Sequence, residues 1–260
     1  VTIPAISATA PVGPADASLL LLGPSLGTST LVWEPAATRL SERYRVVRWD
    51  LPGHGRSPAA TAPFTMAELA LAVAALAEEA GADEPGILFA GVSMGGAVGL
   101  ELLLARPGLV RAAAILCSGA VIGSPEGWRE RARAARSTGT ASLVVASAER
   151  WFAPGSMARD PDLSGRLLHS LRDADDESYA LCCEALAGYD VRARLAEIAT
   201  PVLAVWGGHD AVTPQASAAE IASGVPHGRL AGLPEAGHLA PAEQPAAVTE
   251  LLTAFFEEHG

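Results

Sequence analysis

The chain has 260 residues, half of them hydrophobic, which is enough to bury one large core without demanding a second folding unit. Its 29 acids against 18 bases leave a net charge of -11, which excludes partners that call for a basic face, nucleic acid first among them. All 18 bases are arginine, so Schiff-base chemistry, lysine-bound pyridoxal phosphate and a G-x-x-x-x-G-K phosphate loop are excluded as well.

In chain order, the first predicted element is a short apolar strand over Ser18–Leu22, followed by the loop Gly23-Pro24-Ser25-Leu26-Gly27-Thr28. A helix over Glu34–Ser41 and a strand over Arg45–Trp49 come next. Asp50 and His54, just beyond, invite an acid/base pair, but Gly53 and Gly55 mark a tight turn and the two residues are assigned a structural role. Thr65-Met66-Ala67-Glu68 spells a capping box for a helix over Thr65–Ala80. The third strand, Ile87–Val92, runs into Gly91-Val92-Ser93-Met94-Gly95 and a helix over Met94–Ala105. A fourth strand over Ala112–Leu116 leads to Cys117, read as a buried strand cysteine rather than a thiol nucleophile. From 121 to 196 no convincing strand pair is found and the sequence is helix-like. A fifth strand over Pro201–Trp206, a helix over Pro214–Ala222, a sixth strand over Arg229–Leu233 and a helix over Pro241–Glu258, with Pro241 in its first turn, complete the chain. Alternating strands and helices predict an α/β fold: a mostly parallel, doubly wound sheet (residues 1–120 and 197–260) with a helical cap, or lid (121–196), inserted after the fourth predicted strand.

Six histidines form no H-E-x-x-H or Cys-x-x-Cys pattern, and no G-x-G-x-x-G follows the first strand, so neither metal nor nucleotide cofactor is expected. Three cysteines are an odd number, and the neighbours Cys182 and Cys183 diverge on a helix, which disfavours a disulfide framework and fits a reducing cytoplasm. The longest apolar stretches, such as Ala67–Ala77, are interrupted or too short for a membrane span, and no basic segment followed by an apolar core opens the chain.

The chemistry sits at the ends of three predicted strands. Gly91-Val92-Ser93-Met94-Gly95 is a G-x-S-x-G pattern, whose serine occupies a strained strand-to-helix turn that only small flanking residues allow. Asp210 closes the fifth strand in Trp206-Gly207-Gly208-His209-Asp210, and His238 follows the sixth in Glu235-Ala236-Gly237-His238. Singly, Asp210 reads as the opening of a turn and His238 as an ordinary loop histidine. Together, in the order Ser, Asp, His, they read as a catalytic triad: nucleophile, base and orienting acid. The backbone N–H of Met94 and that of Leu26 are the expected oxyanion donors. In the cap, ten arginines face eleven acids, and Arg129, Arg131, Arg133 and Arg136 fall within eight residues. Most are expected to be solvated with Glu126 and Glu130, while one turned to the cleft would hold a carboxylate, and Arg133 is the candidate taken. Trp128 and Trp151 are candidates to line the pocket and donate an indole N–H, against a plain role as cap-core aromatics.

On these residues the chain resembles the 3-oxoadipate enol-lactonases of the α/β-hydrolase superfamily. The elbow and Trp49-Asp50-Leu51-Pro52-Gly53-His54-Gly55-Arg56-Ser57 are shared broadly, whereas Ser25-Leu26-Gly27-Thr28, Glu149-Arg150-Trp151-Phe152 and Ser178 to Leu186 are narrower, and the likeness runs from Leu20 to Phe255. The resemblance implies hydrolysis of a small anionic enol-lactone in aromatic breakdown, with no metal or organic cofactor. It also implies a possible fusion or association with a 4-carboxymuconolactone decarboxylase, since some bacteria join the two; a free enzyme and an excised domain would look alike. The Ala- and Pro-rich stretch from Ala8 to Pro14 departs from the family by leaving its opening antiparallel strands in question. The same triad would serve a general carboxylesterase or cofactor-free perhydrolase, set apart by preference for short acyl esters, or a hydrolase-fold ligand receptor, set apart by tight binding with negligible turnover.

Overall fold

The computed structural model describes residues 2–81 and 86–259; residues 1, 82–85 and 260, assigned from the sequence to the core, lie outside the described residues. Seven strands among them form one sheet: β1 (Ser7–Ala8), β2 (Leu19–Gly23), β3 (Arg45–Asp50), β4 (Ile87–Val92), β5 (Val110–Leu116), β6 (Val202–Gly207) and β7 (Gly228–Leu233). Their order is β1-β3-β2-β4-β5-β6-β7, and every pairing is parallel except β1 with β3. The middle strands are unbroken apolar runs, LLLLG in β2 and ILFAGV in β4, buried at every position. That is what a parallel strand covered by helices on both faces requires. At the far edge β7 alone is largely exposed, and its sequence GRLAGL is correspondingly weak. The opening antiparallel edge is present but abbreviated, two residues of β1 plus a bridge between Val12 and Val46.

Helices α1 (Glu34–Leu40), α2 (Met66–Glu79) and α3 (Met94–Ala105) alternate with the strands. The Thr65/Glu68 capping box is formed in both directions at the start of α2. Between β5 and β6 the chain is helical: α4 (Pro125–Thr138), α5 (Val144–Trp151), α6 (Ser156–Arg159), α7 (Pro161–Arg172) and α8 (Asp176–Ala187). Ser124 caps α4 with Pro125 in its first turn, and Gly139 ends it at φ 77°. The N-cap of α8, Asp175, accepts from the Ser178 N–H, with Asp176 and Glu177 in the first turn where the helix dipole favours acids. Arg136 of α4 reaches Glu177 and Glu184 of α8, a partly exposed network that adds modestly to the packing of the two helices.

After β6 come α9 (Gln215–Gly224), then α10 (Ala240–Glu243) and α11 (Pro245–His259). The single helix expected over Pro241–Glu258 is therefore two. Pro245 has no N–H to continue the first, and Gln244 before it is pushed out of the helical region to φ -132° and ψ 54°. Among the described residues no helix is long and apolar enough to cross a membrane.

The strand order reverses between β2 and β4, since the chain leaves β2 for β3 on one side and returns to place β4 on the other. A crevice opens at such a point beyond the strand C-termini. Leu26 follows β2, Ser93 follows β4, Asp210 follows β6 and His238 follows β7, so all four reach the same end of the sheet.

Candidate active site

Ser93 sits at φ 56° and ψ -119°, a region that disfavours a residue with a side chain and stores on the order of 1–3 kcal/mol of strain. The turn closes because its neighbours lack side chains. A Cβ on Gly91 would stand 2.3 Å from the Gly95 carbonyl oxygen, and one on Gly95 would stand 2.6 Å from Gly23 C and Pro24 O. The Gly95 N–H donates to that Pro24 carbonyl at 2.8 Å, which ties the elbow to the loop after β2. Ser118 Oγ donates to the Ser93 carbonyl at 2.8 Å from the other side.

Asp210 both opens a turn and meets a histidine. Its Oδ1 accepts the Val212 and Thr213 amides at 2.8 and 3.0 Å, its Oδ2 accepts Thr213 Oγ1 at 2.7 Å, and His238 Nδ1 lies 3.0 and 2.9 Å from the two oxygens. Burial alone would raise the carboxyl, but the charge of and hydrogen bond from His238, with those from Thr213, outweigh it and hold Asp210 at about 2. An ionised Asp210 makes Nδ1 the protonated nitrogen of His238 and leaves Nε2 free to accept a proton. The histidine loop is fixed from the helical insertion: the His238 and Leu239 amides both donate to the Trp151 carbonyl, at 2.9 and 3.2 Å. Glu243 braces it by accepting from Gly237 N at 3.0 Å and Ala153 N at 2.7 Å.

Ser93 and His238 line one small cleft of about 50 Å³, partly open to solvent, together with Ser25, Leu26, Trp128, Arg131, Arg150, Trp151, Tyr179 and Val212. The Leu26 and Met94 amides have no protein acceptor among the described residues, in keeping with donors left for a ligand. Met94 opens α3, where the helix dipole favours negative charge.

The substrate-binding candidates need correction. Arg133 is exposed and does not line the cleft. Two residues earlier, about 200° around the helix, Arg131 does. Its Nε donates to Tyr179 Oη at 2.6 Å and its Nη2 to Ser147 Oγ at 2.9 Å. Arg150, also missed, lines the same cleft, its pKa lowered by burial and then by the charge of Arg131. The signal was in the pattern: Trp128, Ala132 and Ala135 form the inward stripe of α4, and Arg131 stands at i+3 from Trp128. Trp128 lines the cleft, but its indole N–H is given to the Ile122 carbonyl and is not free for a ligand. Trp151 is 5 % exposed and contributes a wall. Cys117 is buried, its thiol pushed well above the usual value by burial and then by Asp210, which leaves it a poor nucleophile. Among the described residues no three His, Cys, Asp or Glu side chains group as metal ligands.

The profile of the Alpha/beta hydrolase family matches residues 19–251. 3-Oxoadipate enol-lactonase 2 of Acinetobacter baylyi is 34% identical over 93% of this chain and 90% of its own. A protein of Pseudomonas syringae named "Putative carbamate hydrolase RutD" is 30% identical over 93% of this chain and 94% of its own. The crystal structure of the enol-lactonase from Burkholderia xenovorans LB400 superposes with a TM-score of 0.92 at 31% identity, covering 97% of this chain and 96% of that one. The chain therefore belongs to the α/β-hydrolase family and stands there with the 3-oxoadipate enol-lactonases, as a carboxylic-ester hydrolase.

Proposed function

We propose that the protein hydrolyses 3-oxoadipate enol-lactone, or a lactone closely like it, through an acyl-enzyme on Ser93. The observation that carries this reading is one small cleft that joins a serine, a histidine oriented by an ionised acid, and two arginines. Neither Arg131 nor Arg150 has an acidic partner among the described residues, so the pair presents net positive charge beside the serine. A neutral ester makes no use of that charge, whereas a lactone carrying an acetate arm does. The same charge in an otherwise acidic chain gives the cleft a local attraction for anions.

In this mechanism Ser93 Oγ attacks the lactone carbonyl while its proton passes to His238 Nε2, and Asp210 stabilises the imidazolium. The tetrahedral oxyanion takes hydrogen bonds from the Leu26 and Met94 amides, each such donor contributing about 2.7–4 kcal/mol. The ring C–O bond then breaks, and His238 returns its proton to the departing enol oxygen. Tautomerisation of the enol to a ketone makes this step downhill. Water, deprotonated by His238, attacks the acyl carbonyl, releases 3-oxoadipate and restores the Ser93 hydroxyl. Residues 121–196 act as a lid whose arginines hold the carboxylate.

The test is the loss of ultraviolet absorbance of freshly generated enol-lactone with native protein and with Ser93→Ala. The reading predicts rapid loss with the native protein and a fall on the order of 10⁶-fold in the variant. Equal rates would contradict it, and faster turnover of short acyl esters or carbamates would redirect it.

A further inference from the structure

His54 takes no part in the proton transfers above, yet its ring joins three parts of the molecule. Its Nδ1–H is donated to the Pro52 carbonyl at 2.9 Å, which leaves Nε2 as a bare acceptor. The Gly27 N–H donates to that Nε2 at 3.2 Å. The side chain is 1 % exposed, and burial pushes its pKa down to about 4, so the acceptor stays unprotonated at neutral pH.

Gly27 is the third residue of the turn Ser25–Thr28, closed by the Thr28 N–H on the Ser25 carbonyl at 3.0 Å, and it stands at φ +81°. Positive φ at this position is the mark of a type II turn, which glycine satisfies without strain. Trp151 and Leu171 of the helical insertion press on the same residue, within 3.3 and 2.8 Å of where a Cβ would stand. A buried amide in so tight a turn needs an acceptor, and His54 is the one it has.

We infer that His54 is a positioning residue of the oxyanion hole: its Nε2 holds the Gly27 amide and thereby fixes the adjoining Leu26 amide beside that of Met94. This rests on the reading that Leu26 and Met94 are the oxyanion donors.

The rest of the turn is built to hold the ring still. Asp50 Oδ1 accepts the Thr30 amide at 2.7 Å, and its Oδ2 accepts the Arg56 amide at 2.9 Å, so one carboxylate pins the loop after β2 to the loop after β3. From the insertion, the Asp175 amide donates to the Gly53 carbonyl at 2.9 Å and Ser178 Oγ accepts the Ala60 amide at 2.8 Å. Tyr179 stacks on the imidazole with ring centroids 6.0 Å apart and planes inclined by 29°, and the same tyrosine accepts from Arg131. The turn that looked merely structural in the sequence thus connects the arginine side of the cleft to the oxyanion side. Donor placement matters most as charge develops on the oxygen, so a loosened Leu26 amide lowers kcat more than it raises KM.

The experiment compares native protein with His54→Phe, which keeps a ring against Tyr179 but has no acceptor, and His54→Gln, whose amide oxygen reaches toward the Nε2 position. Each is assayed for kcat and KM on the enol-lactone and for the rate at which a fluorophosphonate probe labels Ser93. The expected result is a fall of roughly 10- to 100-fold in kcat for the Phe variant with KM within about twofold, a parallel slowing of labelling, and recovery of most of both in the Gln variant. A folded Phe variant with native kcat and labelling rate would overturn the inference. Should the Phe variant not fold, His54→Asn, whose amide is too short to reach Gly27, takes its place: slowed turnover and labelling beside a near-native Gln variant support the role, and native rates in a folded Asn variant overturn it. Undiminished turnover by Ser93→Ala would instead sink the assignment of the site itself, however the His54 variants behave.

Discussion

Around Ser93 the constraints are steric and backbone-borne, while around Arg131 they are polar, sparse and borne by side chains. A Cβ on Gly91 or Gly95 would stand 2.3 or 2.6 Å from backbone atoms, and Ser93 is held at a positive φ by the strand and helix on either side. Arg131 instead is aimed by two hydrogen bonds, to Tyr179 and Ser147, on a helix whose other face is solvated. On the proposed function, the strand ends carry the reacting groups and the helical region between β5 and β6 supplies the charge that selects what binds. Such a division allows one elbow to serve many substrates by changes in the insertion alone.

The largest effect that would sharpen this contrast comes from Asp210→Asn. The amide cannot hold His238 with Nδ1 protonated, and kcat is expected to fall about 10⁴-fold with little change in KM, as read in steady-state assays on the lactone. A rise in KM alone would mean that Asp210 acts on binding rather than on the imidazole. Gly95→Ala tests the steric side. Its methyl meets Gly23 and Pro24 backbone at 2.6 Å, so a loss of about 1–3 kcal/mol in denaturant unfolding is expected, together with slower turnover as the loop carrying Leu26 is displaced. An unchanged midpoint would show that the elbow has slack.

A smaller effect concerns pH. His54 has a folded pKa of about 4, below its unfolded value near 6.5, so the unfolded chain binds the extra proton between these limits. Stability contributed by the neutral imidazole is full above pH 6.5 and is lost as pH falls toward 4, by at most about 1.4 kcal/mol per pH unit. The difference in unfolding free energy between native protein and His54→Gln should shrink over that window and stay flat above it. Asp210, held at about 2, contributes at the other end: its stabilisation is present above its unfolded pKa of about 4 and fades as pH falls toward 2.

Much of the first region was legible in the sequence because its determinants are local. Gly91, Ser93 and Gly95, unbroken apolar strands and the order Ser, Asp, His point to the elbow, the sheet and the acid/base pair without reference to distant contacts. The helical region was legible only as helix. Which arginine faces the cleft depends on the rotation of α4, and that is set by packing of Ala132 and Ala135 against the rest of the molecule; Arg133 was the wrong side of that stripe. Arg150 stands on another helix, so its meeting with Arg131 has no sequence signature. His54 was read as part of a turn because the amide it holds, Gly27, is 27 residues away. The predicted C-terminal helix is too long because it runs through Pro245, and an interior proline removes a hydrogen bond and crowds the preceding turn.

The most direct test of the account is the ratio of kcat/KM for the anionic enol-lactone to that for a neutral ester, p-nitrophenyl acetate, in native protein, Arg131→Met and Arg133→Met. Loss of a charge-assisted contact of about 1.5–3 kcal/mol predicts that Arg131→Met lowers the ratio roughly 10- to 150-fold by acting on the lactone alone, with Arg133→Met unchanged. An equal fall for both substrates, or a fall in Arg133→Met instead, would contradict an insertion that recognises the carboxylate above a self-sufficient elbow.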